Sequence, residues 1–144
     1  EYALRAIVCL ANHGGVPCTT SLLSEETQTP AGYLAKVMQA LCRAGLVKSR
    51  PGLNGGFTLK RPPEELTILE IVGAVDPIRR YHQCPLGLVQ HGRHLCPLHS
   101  RLDEAAELVE KVFADATVAD LLETPRERRS CPFPIGAKAA SRNG

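Results

Sequence analysis

The sequence predicts a mainly α chain: a winged helix-turn-helix domain followed by a long C-terminal helix. Three observations predict it. A helical repeat opening on Thr29-Pro30 leads directly into PGLNGGFTL, a glycine-rich turn between two short apolar runs. Residues 27–63 carry no Asp or Glu, yet hold Lys36, Arg43, Lys48, Arg50, Lys60 and Arg61. Aromatic residues are scarce at 4% and Trp is absent, so the core must be built from Leu, Val, Ile and Ala, which favours helices. The length of 144 residues suits one domain with a small appended piece.

Each element has a local cause. Residues 1–12 place Leu4, Ile7, Val8 and Leu10 on one stripe, and His13-Gly14-Gly15 ends the helix. Thr20 is expected to cap a short helix running to about Thr27. Thr29 is expected to cap the next, with Pro30 at its first position, Leu34, Val37, Met38 and Leu41 at helical spacing, and Gly45 as the left-handed terminator. Residues 46–50 and 57–59 read as short strands around the turn. Thr67-Ile68-Leu69-Glu70 is a capping box that starts a helix to about Val75. Residues 76–98 read as irregular. From about His99 to Ala114 a long helix repeats Leu102, Ala105, Ala106, Val109, Val112 and Phe113, and Thr117 caps a short final helix. The domain plan is therefore 1–76, a winged helix-turn-helix; 77–98, a Cys/His loop; 99–123, the long and final helices; and 124–144, a flexible tail.

The charge pattern points to nucleic acid. The net charge of +2 is uninformative, but its distribution is not. The acid-free stretch opposes an acidic one holding Asp103, Glu104, Glu107, Glu110, Asp115, Asp120 and Glu123. Burying Leu34, Val37, Met38 and Leu41 leaves Ala31, Gly32, Tyr33, Lys36 and Gln39 on the exposed side of the Pro30 helix, at its phosphate-favouring end. Lys48 and Arg50 lead into the wing, whose tip carries Asn54 and Gly55. The DNA-contact candidates are Thr29, Ala31, Tyr33, Lys36, Gln39, Lys48, Arg50, Asn54 and Gly55.

The loop YHQCPLGLVQHGRHLCPLHS concentrates metal-binding chemistry. Cys84 and Cys96 each open a Cys-Pro-Leu, and His91, His94 and His99 lie between and after them. Soft sulfur with imidazole suits zinc or an iron–sulfur centre. Arg80, Arg93 and the helix N-terminus are expected to favour a thiolate. Cys9 and Cys42 read as small core residues, Cys18 as structural, Cys131 as a tail thiol open to redox or ligand work, and His13 and His82 as surface residues. A Cys96–His99 hydrolase is disfavoured, because no orienting third group or oxyanion site is apparent. No apolar run reaches the ~18 residues of a membrane span, no secretory leader is apparent, and the scattered cysteines suit a reducing cytoplasm. The opening at Glu1, already inside a helical pattern, implies residues upstream.

EYALRA, YLAKVMQALCRAGLVKSRPGLNGGFTL, ILEIVGAVD, the cysteine loop and the long helix after it together resemble the Rrf2 family of iron–sulfur winged-helix transcriptional regulators, to about Thr124. The resemblance implies a homodimer, with the long helix as the dimerisation helix, reading a double-stranded DNA operator under control of a cluster. Cys84 and Cys96 match the first and last cluster cysteines, and His99 the histidine ligand of one branch. The middle cysteine slot holds Gln90, with His91 beside it. Three options follow: a two-iron, two-sulfur cluster completed by His99 or His91, placed first; a cluster borrowing a carboxylate such as Glu1 from the partner's first helix; or no cluster, with zinc, bare thiols or a protein partner as the signal.

Overall fold

The computed structural model describes residues 1–87 and 94–123. Its elements run α1 (Tyr2–Asn12), α2 (Thr20–Thr27), α3 (Ala31–Arg43), β1 (Val47–Arg50), β2 (Gly56–Leu59), α4 (Ile68–Val75), α5 (Pro97–Ala114) and α6 (Val118–Leu122), with one 3₁₀ turn at Pro63–Glu65. Helix, helix, recognition helix and two-stranded wing is the expected winged helix-turn-helix. No helix among the described residues is long and apolar enough to cross a membrane.

The core forms where α1 meets α2, α3 and α4. Ala6, Ile7, Cys9, Leu23, Leu34, Met38, Leu41, Leu66, Ile71 and Val118 are all sealed from solvent. Leu34, Val37, Met38 and Leu41 are the four buried residues of α3, as the helical spacing predicts. The end of α3 shows why Gly45 is needed. Its amide donates to the Cys42 carbonyl at 3.0 Å and that of Leu46 to Leu41 at 3.0 Å, with Gly45 at φ +74°. This paired closure satisfies two orphan carbonyls and places buried Leu46 over the last turn.

The caps or starts of α2, α3 and α5 differ from the sequence expectation, and α1, β1 and β2 each begin one residue from it. Thr19, not Thr20, caps α2: it is extended and its hydroxyl accepts from the Leu22 amide at 3.2 Å. Thr29 does not cap α3. It is buried, its hydroxyl takes a hydrogen bond from Thr27 at 2.9 Å, and Pro30 becomes the extended capping residue. The long helix starts at Pro97, so that Cys96 is its cap; proline is well suited to the first helical position. The capping boxes at Thr67–Glu70 and Thr117–Asp120 both form. A two-way backbone tie joins them, Ile68 to Ala116 at 2.9 Å and Val118 to Leu66 at 2.8 Å. The expected tail, 124–144, lies outside the described residues.

The wing pairs antiparallel with Val47 opposite Leu59 and Arg50 opposite Gly56. Cys18 extends it: its amide and carbonyl exchange hydrogen bonds with Phe57 at 3.0 and 2.8 Å. Gly56, at φ +150°, lies so close that a Cβ there would sit 2.6 Å from the Cys18 carbonyl oxygen. Gly56→Ala is therefore expected to lose about 1–3 kcal/mol in a urea unfolding titration, with faster amide exchange at Cys18 and Phe57. An unchanged midpoint and exchange rate would mean that this bridge does not hold the wing.

Candidate DNA-reading head and Cys/His centre

The candidate reading surface is built from one helix face and one hairpin. The inward stripe of α3 leaves Ala31, Gly32, Tyr33, Lys36 and Gln39 exposed. Lys48 and Arg50 are exposed on β1, and so is Asn54 in the turn. The Gly55 amide donates to the Gly52 carbonyl at 2.9 Å, and Asn54 takes a left-handed φ of +64°, a conformation that Asn tolerates well. Gly55 itself is partly buried behind the tip. The Thr29 side chain faces the interior, not this surface. Tyr33 is half exposed and sits edge-on to Tyr2, ring centroids 5.1 Å apart, and the Arg5 guanidinium lies over the Tyr2 ring. Sequence reasoning missed Leu53, which is 98% exposed at the tip. Its exposure followed from its place between Gly52 and Asn54, where a two-residue tip has nothing to pack against.

The second group forms at the start of α5. The Sγ atoms of Cys84 and Cys96 and a ring nitrogen of His99 all lie within 4.8 Å of one another. Nδ1 of His99 is 3.1 Å from Cys96 Sγ and 3.8 Å from Cys84 Sγ. Three residues separate Cys96 from His99, which places them on one face of the first turn. Both are buried, and the Tyr81 ring rests against the imidazole at 5.1 Å between centroids. The His99 amide foremost, then its ring, with help from Cys84 and the Leu98 amide, pulls the Cys96 thiol down to about 7 against the cost of desolvation. Two sulfurs and one imidazole nitrogen converging on a single point are a donor set that fits a zinc ion or an iron–sulfur cluster.

Arg80 does not serve the thiolate as expected. It grips Asp103 with two parallel hydrogen bonds of 2.8 and 2.9 Å and reaches Glu110 at 2.9 Å and Glu107 at 3.1 Å. The Tyr81 amide also donates to Asp103 at 2.7 Å. Arg80 and then the Tyr81 amide hold the Asp103 carboxyl well below the usual range. A carboxylate lowered in this way contributes stability above its unfolded value of about 3.9, and loses it only as pH falls through the lower folded value. The clamp fastening the Cys84 segment to α5 is thus intact throughout the neutral and mildly acidic range. Glu1 stays with Arg5 as an exposed ion pair and is not one of the residues converging on Cys84. Gln90, His91 and Arg93 lie outside the described residues, as does Cys131.

The long helix has two distinct faces. His99, Asp103, Ala106, Glu110 and Phe113 are buried or half-buried on the side of their own chain, where α5 packs on α4. Leu98, Leu102, Ala105, Val109 and Val112 are exposed, spaced four, three, four and three residues apart. Ala106 and Phe113 therefore leave the single stripe that the sequence suggested.

The family model described as Rrf2, iron-dependent transcriptional regulator, matches residues 1–124. A protein of Rhodobacter capsulatus named as an rrf2-like HTH-type transcriptional regulator is 32% identical over 120 residues, covering 80% of this chain and 76% of that one. One from Aquifex aeolicus, named as an HTH-type transcriptional regulator, is 28% identical over 125 residues, with 85% and 87% covered. Among solved structures, T. potens IscR superposes with a TM-score of 0.71 at 25% identity, over 89% of this chain and 85% of that one. CymR of Bacillus subtilis, titled the global cysteine regulator, shares the fold at a TM-score of 0.66 and 24% identity, with 83% and 89% covered.

Proposed function

Because the chain belongs to the Rrf2 family of transcriptional regulators, and is a DNA-binding regulator rather than an enzyme, we propose that it acts as a homodimer whose operator affinity is set by an iron–sulfur cluster. The convergence of Cys84, Cys96 and His99 carries this reading. These three side chains would hold the cluster, with His91 or the partner's Glu1 as the remaining ligand. When bound, such a cluster supplies a centre whose charge and integrity respond to oxidants, nitric oxide and iron supply.

The chain's own residues supply the link to DNA. His99 and Asp103 on α5 fix the Cys84 segment through the sulfur contacts and the Arg80 clamp. α5 rests on α4, and α4 on the recognition helix α3. A change in how Cys84 and Cys96 are held thus bears on α5 first and α3 third. Lys36, Lys48 and Arg50 would meet phosphates, and Ala31, Tyr33 and Gln39 would lie along the groove.

The exposed seam of α5 would make the dimer. Its four–three repeat is the spacing with which two helices cross at a shallow angle and interlock. Leu102→Glu with Val109→Glu is expected to convert a dimer into a monomer at micromolar concentration, measured by sedimentation. A variant that sediments as the parent does would remove α5 from the interface.

The reading is tested by purifying the protein without oxygen and assaying iron, acid-labile sulfide and zinc. Iron and sulfide in equal amounts, with a coloured spectrum, are expected. A colourless protein carrying stoichiometric zinc would replace the cluster with a zinc centre at the same three residues.

A further inference from the structure

A second group of metal-ligand side chains lies in the winged-helix domain, remote in sequence from the cysteine loop. We propose that Cys9, His13 and Glu26 form a binding site for a divalent transition ion of the zinc class. The thiol, an imidazole nitrogen and a carboxylate oxygen of these residues lie within 4.8 Å of one another. Cys9 and His13 are four residues apart at the end of α1, so their side chains share one face. Glu26 comes from α2.

The hydrogen bonds show how the three converge. A single atom, Glu26 Oε2, takes the Cys9 thiol at 3.0 Å and His13 Nε2 at 2.9 Å. The three ligand atoms therefore gather around one small space, where a cation would take the place of the shared proton contacts. Cys9 is sealed from solvent, whereas the side chains of Glu26 and His13 are 19% and 27% exposed. That is a site closed on its sulfur side and open on the other, where water would complete a tetrahedral ion. Cys18 is also buried, but its sulfur is turned to the Val16 carbonyl at 3.5 Å.

The balance of charge and protons is simple. Cys9 releases one proton to solvent as the metal–sulfur bond forms. Metal binding would shift the His13 ring proton from Nε2 to Nδ1, freeing the Nε2 lone pair. Thiolate and carboxylate then neutralise a divalent ion, which removes the cost of leaving a net charge half-buried. The ion would join α1 to α2, the helix that leads through left-handed Gln28 into the recognition helix.

The site uses none of the residues of the cluster proposal, so the two stand or fall separately. The test uses the full chain with Cys84→Ser and Cys96→Ser, reduced and oxygen-free, titrated with cobalt(II) alone. One equivalent should bind with a sulfur-to-cobalt charge-transfer band, release one proton, and be displaced by zinc. Cys9→Ala should abolish the band. His13→Gln and Glu26→Gln, both at partly exposed positions, should keep the fold by circular dichroism and weaken cobalt binding at least about tenfold. No such band in the double-serine chain, or a band that His13→Gln and Glu26→Gln leave at full affinity, overturns the proposal.

Discussion

Cys96→Ala protein, isolated without oxygen beside its parent, is expected to be colourless, with iron and sulfide near background while the parent carries both. The effect is near-total because Cys96 is irreplaceable on three counts. It supplies one of only two sulfurs in the triad. Its thiol is held down to about 7 by the His99 amide and ring, toward the thiolate form that binds metal. It also stands at the N-terminal cap of α5 beside Pro97, where the first helical turn fixes its position next to His99. The fold should survive, because Cys96 stands apart from the main hydrophobic core. Retention of the parent's iron, sulfide and spectrum in Cys96→Ala would mean that the cluster is held elsewhere.

Reversing Arg50 to Glu is expected to weaken operator binding at least about a hundredfold. Arg50 is exposed at the end of β1, and residues 27–63 hold no carboxylate to compensate for it. Loss of a charged hydrogen bond costs roughly 1.5–3 kcal/mol, the proposed dimer would lose it twice, and a carboxylate adds repulsion from the phosphates. The neutral change Lys36→Ala should weaken binding across sequences and lower the salt dependence by about one contact per half-site. Lys111→Ala, the same loss of charge on α5, should leave affinity unaltered. Equal affinity of the Arg50 and Lys111 variants in fluorescence anisotropy would move the reading surface off the wing.

Much of this head was legible in the sequence because its signals are local. The capping box of α4 needs two residues three apart, and the α3 stripe needs one helix. Gly45 and Gly56 answer to backbone angles that few other residues adopt. Errors arose where two residues competed for one role or where partners were distant. Tandem threonines hid which one capped α2, and Thr29 spent its hydroxyl on Thr27 instead of its own helix. Arg80 lies near the cysteines in sequence, but three carboxylates on α5 outbid a thiolate for its guanidinium. His13 keeps 27% of its side chain exposed, as a surface residue does, yet is also tied to Glu26 on another helix, and no spacing rule spans that turn. The triad of Cys84, Cys96 and His99 was recognisable because its members share one loop and one helical turn.

The most direct test is operator affinity in a single oxygen-free preparation, before and after a chelator strips the proposed cluster, at one fixed salt concentration. The operator is first selected from genomic DNA. Coupling between the Cys/His centre and α3 predicts that stripping changes the Kd at least about tenfold, or 1.4 kcal/mol, and that Cys96→Ala already sits at the stripped value. Equal affinity of the loaded and stripped protein would contradict it.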